Sequence, residues 1–289
     1  MNPRFKILVV FSLVVSLFLA ACSKDNSMEN MDNNSNTKQK NTSHEGMNMN
    51  HGNMTSTPQK DNTIVEFSFQ GNPEGGKQVP LNIQVKNKVG KPIKDFEVEH
   101  EKLMHLIVVS EDLSNFDHIH PEYKGDGSFT VTPNFPSGGE YKLFADFVPK
   151  GADKKVKAYV VTVAGNKGTT SQLTEDKERT KVVDGKEVTL KFDHLMTGMD
   201  LTMTFTIKDA KTKKPITNLQ PYLGAVGHVV TISSVTDTYL HVHPLDEKAK
   251  GPEAKFMTSF PTSGLYKIWG QFQQNGKVFT VPFTINVPK

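Results

Sequence analysis

Leu103–Pro121 reads LMHLIVVSEDLSNFDHIHP, and Val226–Pro244 reads VGHVVTISSVTDTYLHVHP. The two stretches align without a gap. Each opens with a short apolar run rich in branched residues, turns through polar ones, and returns to end in H-x-H-P. Such runs are too short for helices, and no apolar spacing of three and four is sustained over ten positions. They read as hairpins, and a hairpin that occurs twice in one chain reads as an internal repeat.

The repeat extends outward on both sides. FPSGGEYKLFADF (Phe135–Phe147) matches FPTSGLYKIWGQF (Phe260–Phe272), LNIQV (Leu81–Val85) matches MTFTI (Met203–Ile207), and Lys91-Pro92-Ile93 matches Lys214-Pro215-Ile216. Between them lie further alternating runs punctuated by Gly, Pro, Asn and Asp, the pattern of many short strands. The expected fold class is all-β: two tandem immunoglobulin-like or cupredoxin-like sandwiches, each near the usual size of roughly 100 residues. Residues 63–164 form the first repeat, 165–180 a polar linker, and 181–289 the second. Tyr141, Phe144, Phe147 and their matches Tyr266, Trp269 and Phe272 are core candidates. Met203, which matches Leu81, is another.

The N-terminal part has a different texture. Arg4 and Lys6 precede an apolar stretch from Ile7 to Ala21, short of the roughly 20 residues that span a bilayer. A charged start, a short apolar run and small residues at its end describe a secretory signal peptide over 1–21. It closes Leu19-Ala20-Ala21-Cys22, which resembles the bacterial lipobox, in which the Cys is lipidated and the preceding bond cleaved. Cys22 is the only cysteine of the 289 residues. A disulfide framework, a Cys-based zinc site and an iron–sulfur cluster are thereby excluded. The expected location is extracytoplasmic, with the chain anchored to the cell membrane through lipid on Cys22. Residues 22–62 are rich in Asn, Ser, Thr, Met and Lys and hold no aromatic or branched aliphatic residue after Cys22. They read as a disordered tether. The net charge of +3 is too small and too spread out for a nucleic-acid partner.

Six of the ten histidines occupy matching positions. His105, His118 and His120 correspond to His228, His241 and His243. In a hairpin centred between Asp112 and Leu113, His105 lies opposite His120, and His118 shares their face because side chains alternate along a strand. Cross-strand neighbours sit about 5 Å apart and diagonal ones about 7 Å. Three imidazoles so placed can converge on a metal with bonds of about 2.0 Å. The same motif could instead form a packing corner. Met47, Met49 and Met54 lie in the tether beside His44 and His51. Thioethers there have no core to fill, and they are soft ligands that select Cu(I). His194, Met196 and Met199 form a further H-x-M-x-x-M cluster.

The H…H-x-H-P and F-P-x-x-G-x-Y motifs of both halves resemble secreted bacterial domains loosely grouped as FixH-like and YtkA-like. The resemblance covers the two repeats and leaves out the tether. It implies a sandwich fold and an association with envelope copper or heavy-metal handling. A blue-copper site needs a Cys ligand, and neither repeat has one. The expected function is therefore binding of copper, with zinc as the other candidate metal, for tolerance, storage or delivery to an exporter or another envelope protein. The alternative is an envelope scaffolding module without metal. An enzyme is disfavoured, because Glu101, Asp117 and Glu122 near the first His set do not recur beside the second, and no H-E-x-x-H is present. Replacing Cys22 with Ala is expected to abolish palmitate labelling and release the chain from membranes. Unchanged labelling in the variant would refute the lipobox reading.

Overall fold

The computed structural model describes residues 61–169, 172–240 and 242–289. Within them the first repeat runs β1 (Thr63–Phe69), β2 (Leu81–Asn87), β3 (Phe96–Glu97), β4 (Met104–Ser110), β5 (Phe116–Ile119), β6 (Glu122–Gly125), β7 (Ser128–Val131), β8 (Gly139–Pro149) and β9 (Lys155–Val163). The second runs β10 (Thr180–Val183), β11 (Lys186–Phe192), β12 (Asp200–Asp209), β13 (His228–Ser233), β14 (Tyr239–Leu240), β15 (His243–Pro244), β16 (Glu253–Ser259), β17 (Gly264–Gln274) and β18 (Lys277–Val287). No helix occurs among the described residues.

Each repeat is an immunoglobulin-like sandwich of two antiparallel sheets. The first pairs β1-β2-β7-β6 with a sheet ordered β3-β8-β4-β5, on which β9 also pairs with β8. The second pairs β10-β11-β12-β16-β15 with β14-β13-β17-β18. The strand orders correspond one to one, apart from β3 and β10. Alternation explains the packing: Leu81, Ile83 and Val85 of β2 are buried while the residues between them are partly exposed. They meet Phe129 of β7 and Leu106, Val108, Leu143 and Phe147 of the facing sheet. The second repeat builds the same core from Val188, Leu190, Met203, Phe205, Phe256, Ile268, Phe272 and Phe283. Met203 is thus a core residue. Tyr141 and Tyr266 donate their hydroxyls back to the carbonyls of Ser137 and Thr262, four residues upstream, at 3.1 and 3.0 Å. The repeated F-P-x-x-G-x-Y motif thereby closes the same corner twice. Its Gly139 and Gly264 have φ of 134° and 130°, where a side chain would be strained.

β4 is buried along its whole length. A strand covered on both faces reads as a continuous apolar run, and here the second cover is the other repeat. Leu106 and Val108 point into the first core, whereas Ile107 and Val109 point outward. They join Leu113 and Phe144 against Val230, Ile232 and Trp269 of the second repeat. Phe116 stacks on Trp269 at 4.5 Å and Tyr239 on Phe144 at 5.6 Å. Phe116 matches Tyr239 and Phe144 matches Trp269, so the two contacts are exchanged by a pseudo-two-fold axis. Phe144 and Trp269 accordingly belong to this seam, not to the inner cores that hold Tyr141, Phe147, Tyr266 and Phe272. The linker takes part, since Leu173 packs on the seam and Asp176 receives the Thr284 amide at 2.7 Å. Trp269→Ala is expected to cost about 3–5 kcal/mol, the usual range for a buried large aromatic. Chemical denaturation measures it, and a loss under about 1 kcal/mol, the surface level, would show that the seam contributes little.

Candidate metal centre

At one end of the seam the outward face changes from apolar to imidazole. β4 and β5 pair Leu106 with Ile119 and Ile107 with His118. Continued by one residue, that register sets His105 opposite His120. Directly paired side chains share a face, so all three imidazoles turn toward the second repeat with Ile107 and Val109. One nitrogen from each of His105, His118 and His120 lies within 4.8 Å of the others. Their ring centroids are 4.8–5.2 Å apart. His105 and His118 are 2% and 8% exposed.

Hydrogen bonds fix which nitrogens face inward. His105 Nε2 lies 3.0 Å from the Glu99 carbonyl oxygen. A carbonyl only accepts, so Nε2 carries the proton and Nδ1 a lone pair. His118 Nδ1 lies 2.7 Å from Oε1 of Gln271, in the second repeat. The Gln271 amide is oriented by its Nε2, which donates to Thr280 Oγ1 at 3.3 Å. Hence His118 Nδ1 carries the proton and Nε2 the lone pair. The two lone pairs face each other across 3.0 Å, an unfavourable approach that a shared cation relieves. With bonds of about 2.0 Å, that separation subtends about 100° at a metal. His120 Nε2 is buried without a hydrogen-bond partner. Tying the outer N–H of each ligand histidine to an acceptor is how metal sites set tautomer and ring direction.

Glu99 and Lys102 exchange backbone hydrogen bonds at 2.9 and 3.0 Å around His100 and Glu101, whose φ are 46° and 66°. This tight turn has no glycine or asparagine to ease it, and such strain concentrates at functional sites. It places the Glu99 carbonyl on His105 and brings the His100 ring to 5.4 Å from His228. His228 lies parallel to His105 at 5.5 Å and 4.8 Å from His118.

Burial governs the charge state. It lowers the His118 pKa to about 3 and those of His105 and His120 to about 4, with repulsion among the rings adding to the effect. His100 is lowered and His228 lies well below its usual range, again chiefly by burial. The rings are neutral at pH 7, the form that binds metal. Asp146, paired with His105 across β4 and β8, is raised by burial; it accepts from Tyr239 at 3.1 Å and pairs with Lys154 at 3.2 Å.

The second His set is laid out differently. Thr231 pairs with Leu240 and Ile232 with Tyr239, so a continued hairpin would set His228 opposite His243. Instead His243 is exposed in β15, paired with Met257 of the other sheet. His228 joins the first set's cluster, and His241 lies outside the described residues. His105, His118 and His120 are the group of three His, Cys, Asp or Glu side chains found close enough to hold an ion among the described residues. His194, Met196 and Met199 sit on the connection between β11 and β12, with both methionines exposed. His44, Met47, Met49, His51, Met54 and Cys22 fall outside the described residues. Sequence reasoning missed His100 and Gln271. Gln271 carried one signal, its repeat position matching Asp146.

Comparison with known proteins adds a family. Residues 58–165 and 181–289 each match a domain of unknown function, DUF8832. The chain belongs to this family, with two DUF8832 repeats in tandem. The family match gives no support to the FixH-like and YtkA-like grouping expected from the motifs. No curated protein matches the chain. Among solved structures, invasin, a bacterial integrin-binding protein, is 13% identical over 78% of this chain and 40% of its own, with a TM-score of 0.24. A two-domain fibronectin type III segment of chicken tenascin is 13% identical over 77% and 98%, with a TM-score of 0.23. Domains 4 and 5 of the S-layer protein SbsC are 13% identical over 78% and 98%, with a TM-score of 0.21. The overlays are too loose to bear on function.

The neutral imidazoles have a consequence for stability. Unfolded histidine titrates near 6.5, while these rings stay neutral in the folded state down to about 4 or 3. The unfolded chain therefore binds more protons as pH falls below 6.5. Their contribution is intact above that value and is lost progressively down to about pH 4 for His105 and His120 and about pH 3 for His118. At pH 5 the loss is roughly 1–2 kcal/mol for each of His105 and His118. Urea midpoints of the metal-free protein at pH 7.5 and 5 measure it. Equal midpoints would mean that the rings are charged in the fold.

Proposed function

We propose that the chain is an extracytoplasmic lipoprotein that binds copper through His105, His118 and His120, for tolerance, storage or delivery to an exporter. The carrying observation is the convergence of three imidazole nitrogens in a largely buried cluster, two of the rings aimed by acceptors on their outer N–H groups. The inner nitrogens are thereby left for a ligand. Imidazole suits copper and zinc alike; the tether methionines Met47, Met49 and Met54, with His44 and His51, favour copper. Lipid on Cys22 would hold the chain at the membrane, and the tether would act as a capture arm feeding the buried site. The exposed Met196 and Met199, with the half-buried His194 near them in sequence, would offer a second capture point. His228 serves the centre as a neighbour of the ligand rings.

The test is metal content and affinity of the full mature chain after loading with copper, zinc or neither. His105→Ala and His118→Ala are each expected to remove one bound equivalent and weaken that site by about 10²-fold or more. The double variant should add little, because ligands of one site are not additive. A metal stoichiometry identical to the parent's in both single variants would transfer the reading to a scaffolding module, with the imidazoles as packing groups.

A further inference from the structure

The ligand imidazoles are neutral, and so are the groups directly behind them. His105 leans on a backbone carbonyl and His118 on an uncharged amide. The charged side chains whose fields reach the cluster are Lys102, Lys154, Glu99 and Asp146, two of each sign. Lys154 lies 3.4 Å from Glu99 and 3.2 Å from Asp146, one cation shared by two acids. Asp146 Oδ1 has no hydrogen bond of its own, but with Lys102 counted the four formal charges cancel, so a cation entering this cluster would meet no net negative charge.

That balance discriminates between ions. The cost of taking an ion out of water grows with the square of its charge, so a divalent ion is penalised about four times as heavily as a monovalent one of equal size. Metal sites commonly offset the penalty with a carboxylate behind a ligand histidine. The chain itself supplies the contrast, since the repeat position of Gln271 is occupied by Asp146 in the first half. Nature of the residue aside, Gln271 is held in place: it is 5% exposed, and Thr280 keeps its oxygen toward His118. Three neutral nitrogens also satisfy Cu(I) without a fourth ligand.

On the reading that this cluster is a metal site, we propose that it selects a monovalent soft cation, Cu(I) or its analogue Ag(I), over divalent ions, with Gln271 as the specificity-determining residue. Gln271 acts through His118: its oxygen fixes the tautomer that presents Nε2, and its lack of charge withholds compensation from a divalent ion.

The experiment titrates the full mature chain with Ag(I) and Zn(II) at pH 7.5. It is read from the imidazole ¹⁵N resonances of His105 and His118, which separate this site from the tether. The parent is expected to prefer Ag(I). Gln271→Glu should tighten Zn(II) about tenfold or more, within the range known for groups behind metal ligands, while moving Ag(I) much less. Thr280→Val frees the amide to rotate without adding charge, and should weaken both ions with their ratio unchanged. A parent that binds Zn(II) as tightly as Ag(I) would overturn the selectivity while leaving the metal site standing, as would a Glu variant that shifts both ions equally. A parent whose imidazole resonances respond to neither ion would overturn the metal reading and this inference with it. Should the Glu variant fail to fold, the parent's preference and the Thr280→Val ratio still decide the matter.

Discussion

The face-to-face contact of two sheets, one from each repeat, is the constraint on which the rest depends. Ile107, Val109 and Phe144 on one side and Val230, Ile232 and Trp269 on the other form an apolar seam outside both sandwich cores. Its aromatic stacks exclude water, and at its end the histidines inherit that dryness. Remove the seam, and His105 and His118 would become exposed strand residues with ordinary titration. The buried histidine cluster is thus a by-product of domain docking: His105, His118 and His120 come from one half, and the acceptor that aims His118 comes from the other.

Much of this was legible in the sequence, and the limits are instructive. Strand alternation, the doubled F-P-x-x-G-x-Y corner and the hairpin that sets His105 against His120 are local patterns, visible because a strand repeats every two residues. The outward use of β4 and β13 was not legible. A strand buried on both faces shows an unbroken apolar run, which states that a second cover exists without saying what it is. Phe144 and Trp269 looked like core residues for the same reason. His100 was missed because its turn carries none of the residues that mark positive φ. Gln271 was missed because a lone glutamine has no chemical signature until His118 is seen against it.

The two H-x-H-P motifs illustrate a different limit. Their spacing is identical, yet His118 and His120 stay beside β4, while His243 is drawn onto β16 in the opposite sheet. Equal spacing fixes equal faces only while the pairing partner is the same. The second hairpin has two paired positions where the first has four, and that shorter ladder lets the chain change sheets before its last histidine.

The pseudo-two-fold seam carries a broader implication. Two separate copies meeting about a true two-fold axis must present the same residue on both sides. A tandem chain is released from that obligation. Phe116 has Tyr239 as its counterpart, Phe144 has Trp269, and Asp146 has Gln271. The acid therefore occurs once, on the Lys154 side, and the amide once, behind His118. Covalent fusion lets a single interface hold two electrostatic characters, one polar and ionic, the other uncharged, within a few residues of the same axis.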